Sequence, residues 1–228
     1  MNFRAVLFDL YGTLVGEFLD DDWDRLLGEM AEQLGVPADG FRHHWSATAI
    51  ERQTGRMGSV EDNLRVICER LGRRPSGEQV ARAIALRTSM YDRYFRPRPG
   101  AEETLRGTKE RGCSVALVSM CAPDTPPLWR ASSLARYVDV EVFSCEVDLR
   151  KPDPEIYLHA TERLGVEPPD CLYVGDGAYS ELTGAAALGM HSVLIRDPRE
   201  IGGTMLRPEA ESWDGQAVAD LREVLLLL

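Results

Sequence analysis

The 228 residues predict an α/β fold built on a parallel-sheet core, interrupted after its first strand by an all-helical insertion. Three observations carry that prediction. Five apolar runs, AVLFD (5–9), SVALVS (114–119), VEVFSC (140–145), CLYVGD (171–176) and SVLIR (192–196), are nearly continuous rather than alternating, as strands covered on both faces are. From residue 100 these runs alternate with helical segments. GAEETLRGTKERG follows Pro99, PEIYLHATERLG closes on Gly165, and SELTGAAALG closes on Gly189. Such alternation implies parallel strands joined by right-handed crossovers. Residues 17–97 behave differently: DDWDRLLGEMAEQLG, DGFRHHWSATAIERQTG, SVEDNLRVICERLG and SGEQVARAIALRTSMYDRYF carry helical apolar spacing and no strand. The sheet domain is therefore expected to be discontinuous, residues 1–16 plus 98–228, with residues 17–97 forming a helical domain. ADLREVLLLL at the C-terminus reads as a docked helix.

Composition narrows the function classes. With 44% hydrophobic residues the chain can bury a core without metal or disulfide staples. A formal net charge of −11 opposes nucleic acid and anionic membranes as partners. No stretch approaches the roughly 20 apolar residues of a membrane span, and the N-terminus reaches acid too soon for a signal peptide. The five cysteines are odd in number and form no CxxC pair, which argues against a disulfide framework or zinc site and favours a reducing, cytoplasmic location.

In open parallel sheets ligands bind beyond the carboxyl ends of the strands. Asp9 ends the first predicted strand and Ser119 the second. Lys151 follows the third within SCEVDLRKPDP, while Asp176 and Glu181 follow the fourth within GDGAYSEL. Each has an ordinary alternative as a turn former, helix cap or solvated loop residue. Their joint placement, however, supplies the complementary parts of a phosphoryl and metal site. Mg²⁺ takes hard oxygen ligands and keeps several waters, so a few carboxylates and a carbonyl suffice. Ser119 and Lys151 are placed to hold phosphoryl oxygens, with the backbone N–H groups of Leu10 to Thr13 adding dipoles.

FDLYGTL, SVALVS, DLRKPDPEIY and YVGDGAYSELTGAAALG match, in order and spacing, four motif regions of the haloacid dehalogenase superfamily of hydrolases, whose members are mostly phosphatases. The chain resembles that family over its whole sheet domain, and the helical insertion resembles the family's mobile cap. The resemblance implies a Rossmann-like core and Asp9 as a nucleophile that forms an aspartyl-phosphate. It assigns Mg²⁺ to Asp9, the Tyr11 carbonyl and Asp176, with Glu181 in support. Ser119 and Lys151 match the phosphate-holding hydroxyl and lysine, and Gly12 and Thr13 complete the loop around the substrate.

Tyr11 departs from the phosphatase pattern, which has aspartate there as general acid and base. A phenol of ordinary pKa near ~10 does not exchange protons readily at neutral pH. Haloacid dehalogenases do carry tyrosine in that motif, so a metal-independent dehalogenase is the rival. GDGAYSE nevertheless keeps two carboxylates at the metal-binding spacing, which that chemistry does not need. The favoured expectation is a Mg²⁺-dependent phosphatase of a small phosphorylated metabolite, working as a monomer or homodimer; a catalytically weak phosphate-binding protein is a third reading. Asp20, Asp21, Asp22, His43 and His44 are candidate replacement acids that read more naturally as caps and surface residues. Arg42, Arg52 and Arg56 are either contacts for an anionic substrate or a solvated face.

Overall fold

In the computed structural model, which describes residues 3–196 and 207–228, the chain begins with β1 (Ala5–Phe8), all four residues buried. The insertion follows as five helices, α1 (Asp20–Leu34), α2 (Ala38–Ala47), α3 (Ala49–Gln53), α4 (Val60–Arg70) and α5 (Gly77–Tyr94). Then come α6 (Ala101–Glu110), β2 (Ser114–Ser119), α7 (Thr125–Ala131), β3 (Val140–Phe143), α8 (Ser144–Val147), α9 (Pro154–Leu164), β4 (Cys171–Gly175), α10 (Glu181–Ala187), β5 (His191–Ile195) and β6 (Gln216–Val218). The sheet runs β3-β2-β1-β4-β5-β6 with every pairing parallel.

The continuous apolar runs have a direct cause. Val6 and Phe8 face one cluster, with Leu105 of α6, Trp129 of α7 and Val224 near the C-terminus. Ala5 and Leu7 face another, with Ile156 and Ala160 of α9 and Leu182 and Ala185 of α10. Both faces are covered, so no position along β1 is left polar. The chain passes from β1 to β2 and β3 on one side and then crosses to β4 on the other. The carboxyl ends of β1 and β4 therefore flank the topological switch point, where such sheets bind ligands.

Helices α1 to α5 bury their own apolar stripe, with Met30, Phe41, Leu64, Ile67 and Ala83 among its residues. Ser59 and Ser76 start α4 and α5 with reciprocal capping boxes to Asp62 and Gln79. The segment DGFRHHWSATAIERQTG, expected to be helical, forms two helices. Thr48 turns its hydroxyl back onto the His44 carbonyl at 2.8 Å and leaves helical geometry, which breaks α2 from α3. The expected C-terminal helix is a 3₁₀ segment, Leu221–Leu226, started by Asp220 and docked on α6 beside Gly107. β6 and α7 are additions that no apolar run announced. The third strand stops at Phe143, and Ser144 opens α8. Among the described residues no helix is long and apolar enough to cross a membrane, and all five cysteines are free.

Arg87 of α5 ties the helical layer to the sheet layer. Its Nε donates to Asp124 Oδ2 at 2.5 Å and its Nη2 to Asp124 Oδ1 at 3.2 Å, with the guanidinium over the Tyr91 ring. Arg87 is 1% exposed, so removing its carboxylate partner leaves a buried charge unanswered. Asp124→Ala is expected to lower unfolding stability by about 3 kcal/mol. A urea midpoint unchanged from wild type would show that the pair does not fasten the two layers.

Candidate active site

Asp9 lies one residue past β1 and is 6% exposed. Its backbone N–H donates to the Val174 carbonyl at 2.9 Å, which continues the parallel ladder and fixes where the side chain emerges. Beyond it the chain turns tightly, with the amides of Leu14 and Val15 returning to the Leu10 carbonyl at 2.8 and 3.0 Å. Gly12 adopts φ +76°, and a Cβ there would collide with the Asp176 carboxylate. Its absence lets the first and fourth strand-end loops touch.

Lys151 is the centre of the arrangement. Its ammonium donates to Asp9 Oδ1 at 2.6 Å and to Glu181 Oε2 at 2.5 Å, with all three side chains nearly excluded from water. Burial pulls the lysine pKa down, but the two carboxylates outweigh that and hold it protonated, above its ordinary value. Glu181 Oε2 also accepts from the Tyr173 hydroxyl at 2.8 Å, and its Oε1 from the Gly177 amide at 3.1 Å. Burial first and the Asp9 charge second raise the Glu181 pKa well above the carboxylate range, with Lys151 opposing. Asp176, one residue past β4, accepts from the Ala178 amide at 2.9 Å, and its pKa is likewise raised, by burial first and then by Asp9. One carboxylate oxygen from each of Asp9, Asp176 and Glu181 lies within 4.8 Å of the others.

The sequence-predicted residues Asp9, Lys151, Asp176 and Glu181 thus meet at one point. Ser119, ending β2, and Thr13 are fully buried at the same sheet edge, and neither hydroxyl has a hydrogen-bond partner. Of the four loop amides, Gly12 is committed to the Val15 carbonyl at 3.0 Å and Thr13 to that of Leu10 at 3.3 Å. Gly12 therefore contributes close approach rather than a donor. The Tyr11 hydroxyl sits 3.1 Å from Thr125 Oγ1, and its ring packs against Phe18, Tyr91 and Phe95. Burial above all, then the neighbouring Tyr91, pushes this phenol well above its usual value, further from any proton exchange at neutral pH.

The alternative acids lie elsewhere. Asp20, Asp21 and Asp22 form the first turn of α1, with Asp22 paired to Arg93 at 3.4 Å and bonded to Tyr94. His43 and His44 sit on α2 with their rings stacked edge to face. Sequence reading missed Arg207 and Glu17. Arg207 Nη2 lies 2.6 Å from Asp176 Oδ2 and also pairs with Glu17. Two residues on, Glu209 accepts from the Leu182 and Thr183 amides at 2.8 and 2.9 Å and completes the start of α10. No periodicity or strand end marks either residue; the pairing of a lone arginine with a motif carboxylate is visible only in three dimensions.

Among the described residues four carboxylates, Asp9, Glu17, Asp176 and Glu181, gather around Lys151 and Arg207, with Arg98 donating to the Gly12 carbonyl beside them. That donor set is hard oxygen with surplus negative charge, and it fits a divalent cation such as Mg²⁺.

The comparisons agree with this architecture. A model of the haloacid dehalogenase-like hydrolases matches residues 3–189. A phosphoglycolate phosphatase of Nitrosospira multiformis is 30% identical over 195 residues, 82% of this chain and 81% of the relative. An (S)-2-haloacid dehalogenase 4A of Burkholderia cepacia is 28% identical over 197 residues, 84% and 82% of the two chains. Another relative, 34% identical, is matched over only 35% of its own length. The crystal structure of a dehalogenase superposes with a TM-score of 0.63 at 25% identity, covering 99% of this chain and 97% of that one. With the parallel sheet, the strand-end carboxylates and the family match over residues 3–189 in agreement, the chain belongs to the haloacid dehalogenase-like hydrolases.

Proposed function

We propose that the protein is a Mg²⁺-dependent phosphatase acting on a small phosphorylated substrate through an aspartyl-phosphate. The observation that carries this reading is the surplus of buried carboxylates over cations around Asp9, which would repel an anionic substrate unless a divalent cation were also present. Asp9, Asp176 and the Tyr11 carbonyl would hold the ion, with Glu181 in support. When bound, Mg²⁺ supplies Lewis-acid polarisation of the phosphoryl group and screens it from the carboxylates.

The protein's own groups divide the remaining work. Lys151 occupies Oδ1 of Asp9, which leaves Oδ2 to attack phosphorus. An O–P bond forms to Asp9 as the bond to the leaving oxygen breaks, and water then displaces Asp9 to release phosphate. The unpartnered Ser119 and Thr13 hydroxyls are satisfied by phosphoryl oxygens. Glu181 and Tyr173 act as positioning residues, holding the lysine against Asp9. Residues 17–97 serve as a cap over residues 1–16 and 98–228. Because Asp9, Lys151, Asp176 and Glu181 are almost wholly buried with the layers together, substrate enters when the cap swings away.

Tyr11 favours the second reading, a 2-haloacid dehalogenase forming an aspartyl ester, because halide leaves without a proton. Within the phosphatase reading it favours a leaving group of low basicity, such as the carboxylate of an acyl phosphate.

A panel of phosphate esters, acyl phosphates and 2-haloacids, run with and without EDTA, separates the two readings. Phosphate release abolished by EDTA is expected; halide release indifferent to EDTA overturns the phosphatase reading. Asp9→Asn should lower kcat by at least ~10⁴-fold. Phosphate release that survives this change removes Asp9 from the nucleophile role. Tyr11→Asp should raise kcat toward alkyl phosphates by ~10²-fold or more. An unchanged rate in a folded Tyr11→Asp protein would mean that no acid at this position limits turnover.

A further inference from the structure

β2 and β3 end side by side, and each carries a cysteine just past its carboxyl end. The parallel register pairs Ser119 with Phe143, and two residues further along each segment stand Cys121 and Cys145. Neighbouring strands lie about 4.8 Å apart, within the ~4.4–6.8 Å between Cα atoms that a disulfide spans. Beyond the strands Ser144 keeps the two segments together. Its Oγ accepts from the Cys121 amide at 2.9 Å and donates to the Gln53 carbonyl at 2.6 Å. The two sulfurs are in contact, with Sγ atoms 3.8 Å apart.

The two thiols differ in what reaches them. All five cysteines lie among the described residues and four of them are buried; Cys145 is the partly exposed one. Burial above all, and then the contact with Cys145, push the Cys121 thiol well above its ordinary pKa. An oxidant therefore meets Cys145 first, with Cys121 beside it as the second thiol. An accessible thiol next to a resolving one is the arrangement of redox-sensitive cysteine pairs.

The pair is built into the surround of the candidate site. Cys121 stands two residues past Ser119 and belongs to the buried cluster against which Tyr11 packs. On the other side, a Cβ placed on Gly55 of the insertion would collide with the Cys145 carbonyl, so Cys145 lies directly beneath the helical layer. Phosphoryl transfer at Asp9 uses neither sulfur.

We propose that Cys121 and Cys145 form a reversible disulfide when the protein meets a hydroperoxide, and that this modification slows the chemistry at Asp9. The Cys145 thiolate attacks one peroxide oxygen as the O–O bond breaks, giving a sulfenic acid; with hydrogen peroxide the released hydroxide takes up the proton that Cys145 shed and becomes water. The Cys121 sulfur then attacks the Cys145 sulfur. An S–S bond forms as the S–O bond breaks, and the departing hydroxide leaves with the Cys121 proton as a second water. Two electrons pass from the sulfurs to the peroxide, and a thiol reductant returns them. Closing the bond draws residue 121, and with it the segment that carries Ser119, toward the end of β3. The disulfide stands on the geometry of the pair, whereas its effect on rate rests on reading Asp9 as the nucleophile of phosphoryl transfer.

Peptide mapping tests the disulfide without turnover. The reduced, folded chain is treated with hydrogen peroxide, blocked with a maleimide in denaturant and digested with trypsin. Free thiols are expected to fall from five to three in most chains, with peptides 112–130 and 137–150 joined, and dithiothreitol should separate them. The first peptide also contains Cys113, so C121S identifies the partner: it should lose the link and leave a Cys145 sulfenic acid that dimedone traps. Far-UV circular dichroism confirms the fold of the variant, and fragment ions of the joined wild-type peptides locate the bond if C121S unfolds. No joined peptides in the wild type, a link that persists in folded C121S, or a link between two chains on a non-reducing gel overturns the disulfide. In the phosphate-release assay the oxidised chain should lose about tenfold or more in kcat and regain it with dithiothreitol, since a displacement of about 1 Å at a reacting site costs up to ~10²-fold. C145S should keep its rate in peroxide. A linked chain with the kcat of the reduced one overturns the effect on rate. Absent phosphate release in the reduced chain overturns that effect together with the phosphoryl-transfer reading, while the joined peptides still decide the disulfide.

Discussion

Three carboxylates gathered within 4.8 Å and out of water repel one another strongly, and the Lys151 ammonium, 2.6 Å from Asp9 and 2.5 Å from Glu181, is what makes their assembly tolerable. Much of the local structure serves that contact. Tyr173 and the Gly177 amide take up the remaining acceptor capacity of Glu181, and the missing side chain at Gly12 lets Asp176 approach. Arg207 and Glu17 extend the network outward by one further charge of each sign. Lys151 therefore serves two ends at once, as counter-ion to a crowded centre and as the group that holds one oxygen of Asp9 in place.

The sheet explains why these residues meet. Parallel strands all present their carboxyl ends at one edge, so the groups following β1, β2 and β4 share it whatever lies between them in sequence. Crossing from β3 to β4 opens the crevice beside β1, and Asp9 and Asp176 stand on its two lips. The helices between β1 and β2 meet this edge through Gln53, Arg87 and the aromatic surround of Tyr11. Contacts to the candidate site and contacts between the two layers thus involve neighbouring residues.

What the sequence could reveal followed from periodicity and from strand ends. The five runs were readable because covered strands admit no polar face, and Asp9, Ser119, Lys151, Asp176 and Glu181 were readable because each stands at or just past such a run. β6 was not readable, since only one of its three residues is buried. α7 begins with two prolines, Pro126 and Pro127, which mask its helical character although proline is well tolerated in a first turn. The break at Thr48 depends on one hydroxyl choosing a carbonyl. Arg207 and Glu209 lay in a stretch with no apolar rhythm, and their roles depend on where the chain returns after β5. The arginines of the insertion looked equivalent in sequence; only burial and the pairing of Arg42 with Asp24 and of Arg56 with Asp148 distinguish Arg52 from the others.

Asp9 emerges near the beginning of the chain, yet the lysine it needs lies 142 residues later. β1 itself pairs with strands whose partners for Ala5 are Ser114 and Cys171. During synthesis, then, the Asp9 carboxylate exists long before any fragment can give it a counter-ion or a neighbour. Loop closures of this span are slow and must be completed before they are rewarded. The same separation means that the buried acidic cluster is complete only when β4 has closed against β1 and the middle of the sheet is finished.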